Sequence, residues 1–167
     1  MTRLTGWLVF GIAALAGTSP VQSQDPVAGT GMSAHPVNIT AGEMQWSRMF
    51  PELGAKSSEI TILHVDSVTG ATKLMIRVPA NFHVPKHWHS ANETHTVVSG
   101  TFVIECEGKR TILGAGSFNY VPRTMAHEAW TPIDQGAVLF ITVDAAWDVN
   151  FVNGPPKPKD LIGGLRR

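Results

Sequence analysis

The stretch that decides the fold spans residues 81–100 and reads NFHVPKHWHSANETHTVVSG. Alternate side chains of a β-strand share one face, so His87 and His89 point to the same side while Trp88 points away. Glu93 follows His89 by four positions, an even step that returns its side chain to that face if the Ser-Ala-Asn bend keeps the register. Two imidazoles and one carboxylate that converge in this way form a three-sided clamp for a divalent cation and leave coordination positions open.

A fourth potential ligand, His127, lies in the strand-like segment MAHEAW at residues 125–130. Antiparallel pairing can bring it opposite the first cluster. A single histidine in a barrel is more often a core or surface residue than a ligand. However, burying three histidines and a glutamate without a cation would leave several polar groups without partners. We therefore expect one metal ion to be bound by His87, His89, Glu93 and His127.

The flanking sequence favours short strands over helices. Nine strand-like segments, among them EITILHV at 59–65 and TFVIEC at 101–106, are bounded by Gly, Pro or Asp. Such regular spacing predicts an antiparallel sandwich or barrel. We expect Gly100 to separate two of the strands, and residues 41–53 to form a short helical turn that ends near Pro51.

The spacing of these residues resembles the two motifs of the cupin superfamily. The first motif runs Gly, five residues, His-x-His, three or four residues, Glu, six residues, Gly; residues 81–100 match it, with Asn81 in place of the first Gly. The second runs Gly, five residues, Pro-x-Gly, two residues, His, three residues, Asn. Gly116, Pro122 and His127 match it, whereas Thr124 replaces its inner Gly and Thr131 replaces its Asn. The resemblance covers roughly residues 54–144.

The resemblance implies an all-β fold, the double-stranded β-helix or jelly-roll barrel, with a metal inside one mouth. A short N-terminal helical turn would precede the barrel and an extended C-terminal tail would follow it. The three histidines and the glutamate would hold one divalent transition-metal ion (Fe, Mn, Ni, Cu or Zn). Within the superfamily, the run HWH…E…VVSGTF…W is most similar to small single-domain cupins related to the ChrR-type metal-binding domains. The fold and the ligand set do not by themselves choose a reaction.

Two further residues are candidates for catalysis. His95 lies two positions beyond Glu93 and should also face the cavity, where it could move a proton, orient Glu93 or a water molecule, or act as a fifth ligand. Tyr120 could donate its hydroxyl group to a substrate, or its ring could simply pack. Parity alone leaves open whether Phe118 and Tyr120 or Ser117 and Asn119 face inward.

The N-terminus predicts export. Residues 1–23 have the features of a signal peptide, with Arg3 ahead of an apolar run and the small residues Val21 and Ser23 before the cleavage point. The mature protein would then be periplasmic or secreted, with no membrane association. Residues 24–53 form an N-terminal extension, 54–150 the barrel domain and 151–167 a flexible tail. In this tail, Leu161, Ile162 and Leu165 could fold back over a barrel edge or a neighbouring subunit.

Composition narrows the possible partners. The formal net charge is zero, so the chain has no surplus of basic residues with which to bind nucleic acid. Its only cysteine, Cys106, cannot form an internal disulfide. We expect a small-molecule substrate, and a homodimer that pairs through sheet edges.

Three functions fit this sequence. The first is a small metal-dependent oxygenase that acts on a small organic substrate, since an open coordination position in an apolar pocket suits this chemistry. The second is a non-catalytic metal or ligand sensor. The third is a metal-dependent lyase or isomerase in which His95 moves a proton.

Overall fold

The computed structural model describes residues 36–163. The predicted signal peptide lies outside this part of the chain, as does Leu165. The described residues form ten β-strands and two short 3₁₀ helices, which confirms the prediction of an all-β fold. None of their helices is long and apolar enough to cross a membrane.

The elements follow one another along the chain with short connections. The strands are β1 (Ser47–Arg48), β2 (Glu59–Val65), β3 (Thr72–Val78), β4 (His83–Trp88), β5 (Glu93–Cys106), β6 (Lys109–Gly114), β7 (Phe118–Val121), β8 (His127–Trp130), β9 (Ala137–Val143) and β10 (Asn150–Phe151). The 3₁₀ helices are Pro51–Lys56 and Pro158–Asp160.

A single curled sheet contains all ten strands. Their order is β1-β2-β3-β9-β5-β8-β4-β10, with β6 and β7 also paired to β5, and every pairing is antiparallel. The first half of β5 pairs with β7 and β9, and its second half pairs with β6 and β8. Because β5 passes from one layer to the other, the sheet curls into the jelly-roll barrel that the resemblance implied.

The strand β5 is continuous across Gly100, so the expected break between two strands at this residue is wrong. Gly100 has a φ of 79°, and a Cβ atom there would lie 2.0 Å from the carbonyl oxygen of Gly136. Only glycine combines this backbone conformation with so close an approach. Gly100 therefore marks the point where one long strand changes its partners.

The core fills the inner face of the barrel. Side chains along β3 and β9 alternate between buried and more exposed positions, and Leu74, Ile76, Leu139 and Ile141 are among the buried ones. Each fully buried aliphatic side chain contributes about 1.5–3 kcal/mol to stability. This apolar packing also forms much of the wall of the cavity described below.

The N-terminal helical turn differs from the prediction in its position. The 3₁₀ helix begins at Pro51 and continues to Lys56, whereas we expected a turn that ended near Pro51. Proline is well tolerated at the first helical position because the amide hydrogen that it lacks would have no helical acceptor there. The preceding residues Ser47–Arg48 form β1, paired with β2.

The C-terminal segment packs on the barrel as far as the described residues extend. β10 pairs with β4, Ile162 forms an isolated bridge with Phe82, and Leu161 is fully buried. The backbone amide of His83 donates a hydrogen bond of 3.0 Å to the carbonyl of Leu161. The described part of the tail therefore folds back over a barrel edge.

Three residues that depart from the family motifs have clear structural roles. Asn81 and Thr124 adopt positive φ angles of 60° and 63°, the conformation that glycine would otherwise supply. Thr131 is fully buried. Its hydroxyl accepts a 3.0 Å hydrogen bond from the amide of Phe82 and donates one of 2.6 Å to the carbonyl of Pro79. Thr131 thus satisfies two backbone groups at the position of the motif's asparagine.

Replacing Thr124 by glycine should stabilise the protein. The left-handed conformation costs a β-branched residue about 1–2 kcal/mol. Glycine avoids this cost but loses more backbone entropy on folding, which offsets about 0.5–1 kcal/mol of the gain. We expect Thr124→Gly to raise the free energy of unfolding in urea by about 0.5–1 kcal/mol. As a control, Thr111→Gly on the exposed part of β6 should lower it; a loss of stability in both variants would contradict this account.

Candidate metal centre

Three of the predicted ligands meet inside the barrel. The pairing of β4 with β8 places His87 directly opposite His127, and His89 follows the end of β4. One ring nitrogen from each of the three buried histidines lies within 4.8 Å of the others. The ring centroids of His87 and His127 are 4.1 Å apart, and those of His87 and His89 are 5.0 Å apart. Three imidazoles at these separations can bind one ion.

Backbone carbonyl groups fix the orientation of all three rings. The Nδ1 atom of His87 is 2.8 Å from the carbonyl oxygen of Pro85, and that of His127 is 3.1 Å from Met125. The Nδ1 atom of His89 contacts the carbonyl oxygen of Asp148. Because a carbonyl can only accept, each Nδ1 carries the hydrogen, and in a neutral ring Nε2 then has a free lone pair. Metal-binding histidines are held in this way.

Glu93, the first residue of β5, reaches the cluster from the side of His89. Its Oε2 atom lies 2.9 Å from Nε2 of His89 and 3.2 Å from Nε2 of His95. Its Oε1 atom accepts a 3.1 Å hydrogen bond from the indole nitrogen of Trp147. The carboxylate is only 2% exposed, so its charge depends on these neighbours.

In the close contact between His89 and Glu93, the two facing atoms have no hydrogen bond. Nε2 of His89 and Oε2 of Glu93 are buried and have no hydrogen-bond partner, although they are 2.9 Å apart. With its Nδ1 hydrogen bonded to Asp148, a neutral His89 turns a lone pair toward a carboxylate oxygen. Only a cation or an added proton makes this arrangement favourable. The residues present therefore fit a divalent metal ion.

The surroundings of the cluster shift the pKa values of its histidines in different directions. Burial and the neighbouring rings lower the pKa of His87 well below its usual value, and burial lowers the pKa of His127 to about 4. Burial also lowers the pKa of His89, but attraction to Glu93 outweighs it and raises this pKa overall. For Glu93, burial favours the neutral acid, yet His95 and His89 hold its pKa well below the usual range. Two neutral imidazoles and one anionic carboxylate are thus ready to act as ligands.

His95 faces the cavity, as its parity with Glu93 predicted. Its Nδ1 atom lies 2.8 Å from the side-chain oxygen of Asn119, and its Nε2 atom lies against Glu93. The ring is buried and its centroid is 6.4 Å from that of His127. His95 therefore lies beside the carboxylate, where it can hold Glu93 in place or exchange a proton with a bound molecule.

Tyr120 does not belong to the site, which corrects its assignment as a catalytic residue. The β5–β7 register pairs His95 with Asn119 and Thr94 with Tyr120, and paired residues share a face. Since His95 points inward, Asn119 does so too and Tyr120 points outward, where it is 51% exposed. The sequence could not settle this parity, because the inward position of Asn119 goes with its contact to His95, which alternation does not reveal.

A small cavity adjoins the cluster. The cavity has a volume of about 70 Å³, enough for a few waters or a small organic molecule. Its wall is mostly apolar, and among the described residues no lysine or arginine lines it. Besides the four proposed ligands and His95, the polar lining consists of Ser58 and the indole of Trp147. The apolar wall includes Met49, Phe50, Ile76, Val78, Phe102, Leu139, Ile141, Val149 and Phe151.

The sequence analysis missed Trp147 and Asp148, and it left the inward position of Asn119 open. Trp147 and Asp148 lie in the connection between β9 and β10, more than fifty residues from the groups they contact. No spacing rule relates residues so far apart in the chain, so neither contact had a signal in the pattern.

Comparison with known proteins supports this interpretation of the fold. Residues 74–144 match the family model described as "Cupin domain". No curated protein matches the sequence. The structure resembles an RmlC-like cupin from Shewanella frigidimarina, with 20% identity and a TM-score of 0.57 over 67% of this chain and 93% of that one.

Two further solved structures share the fold. The polyketide cyclase RemF from Streptomyces resistomycificus is 18% identical, with a TM-score of 0.59 over 74% of this chain and 88% of that one. A chain from the structures of the DMSP lyases RdDddP and RnDddQII is 16% identical, with a TM-score of 0.55 over 65% of this chain and 62% of that one. At these identities the likeness concerns the fold alone. Residues 74–144 thus match the model of a cupin domain, and the fold is similar to that of known cupin structures.

Proposed function

We propose that this protein binds one divalent transition-metal ion through His87, His89, His127 and Glu93, and acts as a small oxygenase on a small organic molecule. The observation that carries the metal site is the buried contact between His89 and Glu93, in which two polar atoms face each other without a hydrogen bond. When bound, a redox-active metal would supply activation of dioxygen, and any divalent metal would supply Lewis acidity.

The cavity defines the class of substrate. Its apolar wall favours a ligand with a compact hydrocarbon body, and its volume limits that ligand to a small molecule. Three neutral imidazoles and one carboxylate would leave a divalent ion with one net positive charge. Because no basic side chain in the described part of the wall could balance further charge, the substrate should be neutral or a monoanion that binds through oxygen.

The chain's own residues would orient this substrate and exclude bulk water. Phe102, Leu139 and Ile141 surround the space next to the histidines and would hold the hydrocarbon part of the ligand. His95, hydrogen bonded to Asn119, would hold a proton close to the substrate oxygen. Its Nε2 atom lies 3.2 Å from Oε2 of Glu93.

A lyase or isomerase is the second candidate. It is favoured by the position of His95 in the cavity wall, since a buried imidazole beside a metal can take a proton from carbon. The cyclase and the DMSP lyases among the structures with this fold illustrate that such reactions occur in barrels of this kind. A non-catalytic sensor would bind the metal and show no turnover.

Several predictions from the sequence stay predictions. They are export to the periplasm or beyond, assembly as a homodimer, and the closer relationship to ChrR-type metal-binding domains. If the protein does fold outside the cytoplasm, Cu and Zn would compete most strongly for its imidazole ligands.

Removing one histidine should abolish tight metal binding. Metal-free wild-type protein, titrated with Zn(II), Mn(II), Fe(II) or Cu(II), should take up about one ion per chain, whereas His127→Ala should weaken the affinity by at least about 100-fold. His64 lies on β2 and does not line the cavity, so His64→Ala is the matched control. Equal metal content in wild type and His127→Ala, measured by elemental analysis, would contradict the proposed centre.

The pH dependence of metal affinity should have two stages. The raised pKa of His89 makes its proton the first competitor, so the Kd should increase about tenfold per pH unit as the pH falls below that pKa. His127, with a pKa of about 4, and His87 compete only at lower pH, where the dependence becomes steeper. Calorimetric titrations with Zn(II) measure this slope; displacement of two or more histidine protons at about pH 6 would contradict the assignment.

His95 separates the two candidate reactions. His95→Ala should keep its metal, because its ring is not one of the three closely spaced imidazoles, with an affinity within about tenfold of wild type. A lyase would lose turnover by about 10²–10⁴-fold in this variant, while an oxygenase should retain metal-dependent oxygen uptake. Oxygen consumption and substrate loss, followed over a panel of small phenols and organic acids, distinguish these outcomes.

A further inference from the structure

Trp147 contacts two of the proposed ligands from a connection outside the barrel strands. Its indole nitrogen donates a 3.1 Å hydrogen bond to Oε1 of Glu93. Its ring lies nearly parallel to that of His89, with the planes 27° apart and the centroids 6.3 Å apart. The same side chain also lines the cavity.

The connection that carries Trp147 is fastened at both ends to the loop after His89. At one end, Asp144 accepts a 2.9 Å hydrogen bond from the backbone amide of Asn92. At the other, Asp148 accepts hydrogen bonds of 2.8 and 2.6 Å from the amide and hydroxyl of Ser90. These paired contacts fix residues 144–148 over the segment that leads into Glu93.

This attachment gives Trp147 control over one carboxylate oxygen. An indole N–H is a donor only and carries no charge, so it binds Oε1 without neutralising the carboxylate. Oε2 then remains on the side of His89 and His95. With Oε1 held, rotation of the carboxylate about its terminal torsion, which is otherwise broad, is restricted.

We propose that Trp147 is a positioning residue that holds Oε1 of Glu93 and so presents Oε2 alone to the metal. This inference rests on the proposed function, because it requires a metal bound at the histidine cluster. Trp147 acts through Glu93 and touches no reacting atom. Outer partners that orient a ligand in this way commonly change metal affinity by about 10–100-fold when removed.

The variant Trp147→Phe isolates the hydrogen bond from the packing of the ring. It keeps an aromatic side chain over His89 and removes the N–H group. We expect the Kd for Cu(II) to rise by about 10-fold or more, and the Cu(II) electron paramagnetic resonance spectrum to change because the carboxylate is free to bind differently. The matched control is Trp46→Phe, since the indole nitrogen of Trp46 has no hydrogen-bond partner and its ring lies over Arg77; its Kd and spectrum should equal those of wild type.

A double-mutant cycle with Glu93→Ala shows whether the effect passes through Glu93. Once the side chain that accepts from the indole is gone, Trp147→Phe should produce no further loss of Cu(II) affinity, because nothing remains to be positioned. Equal losses in both backgrounds would mean that Trp147 acts by packing and would overturn the proposal, as would an unchanged Kd and spectrum in the single variant.

A metal-free measurement checks the contact directly. In ¹⁵N-labelled protein, the signals missing from the Trp147→Phe and Trp46→Phe spectra identify the indole N–H groups of these two residues. The Trp147 signal should shift in Glu93→Gln, while the Trp46 signal should not. A Trp147 indole signal at the same position in wild type and Glu93→Gln would overturn the proposal. A wild-type protein that binds no metal would instead refute the proposed function, and this inference with it, which separates the two failures.

Discussion

The burial of one carboxylate charge is the constraint on which the site depends. Glu93 is almost completely enclosed, and an unpaired charge in such surroundings costs several kcal/mol. A neutral indole donates a hydrogen bond to one oxygen, and the imidazoles of His89 and His95 lie against the other. One of these imidazoles, His89, is turned by Asp148 so that its own lone pair faces the carboxylate. This arrangement needs a positive charge between the two groups, and the barrel brings two further neutral imidazoles to the same point.

The continuity of β5 makes this meeting possible. Its first residues carry Glu93 and His95, and its last residues pair with β8, whose first residue is His127. β8 in turn pairs with β4, which ends next to His89. A single strand therefore links the two layers of the barrel and fixes the separation between the carboxylate and the histidines, while Gly100 allows the bend that this path requires.

Local periodicity was enough to predict much of this arrangement. The alternation around His87 and His89 and the even step to Glu93 correctly placed side chains on one face, and the frequent turns correctly indicated an all-β barrel. The start of the helical turn could have been read from Pro51, because proline is favoured at the first helical position. Two matters could not be read from pattern. The inward face of SFNYV depended on its register with β5, and Trp147 reached Glu93 through a connection fixed by hydrogen bonds between separate loops. Both depend on tertiary contacts that a single sequence does not display.

The pairing of Phe151 with His87 has a consequence for the order of folding. The strand that holds His87 gains this neighbour only from residue 151, and Asp148 orients His89 from the same segment. His89 and Asp148 are 59 positions apart in the chain. His87 and His89 are therefore held in their final orientation only once the segment from 148 to 151 has folded against β4.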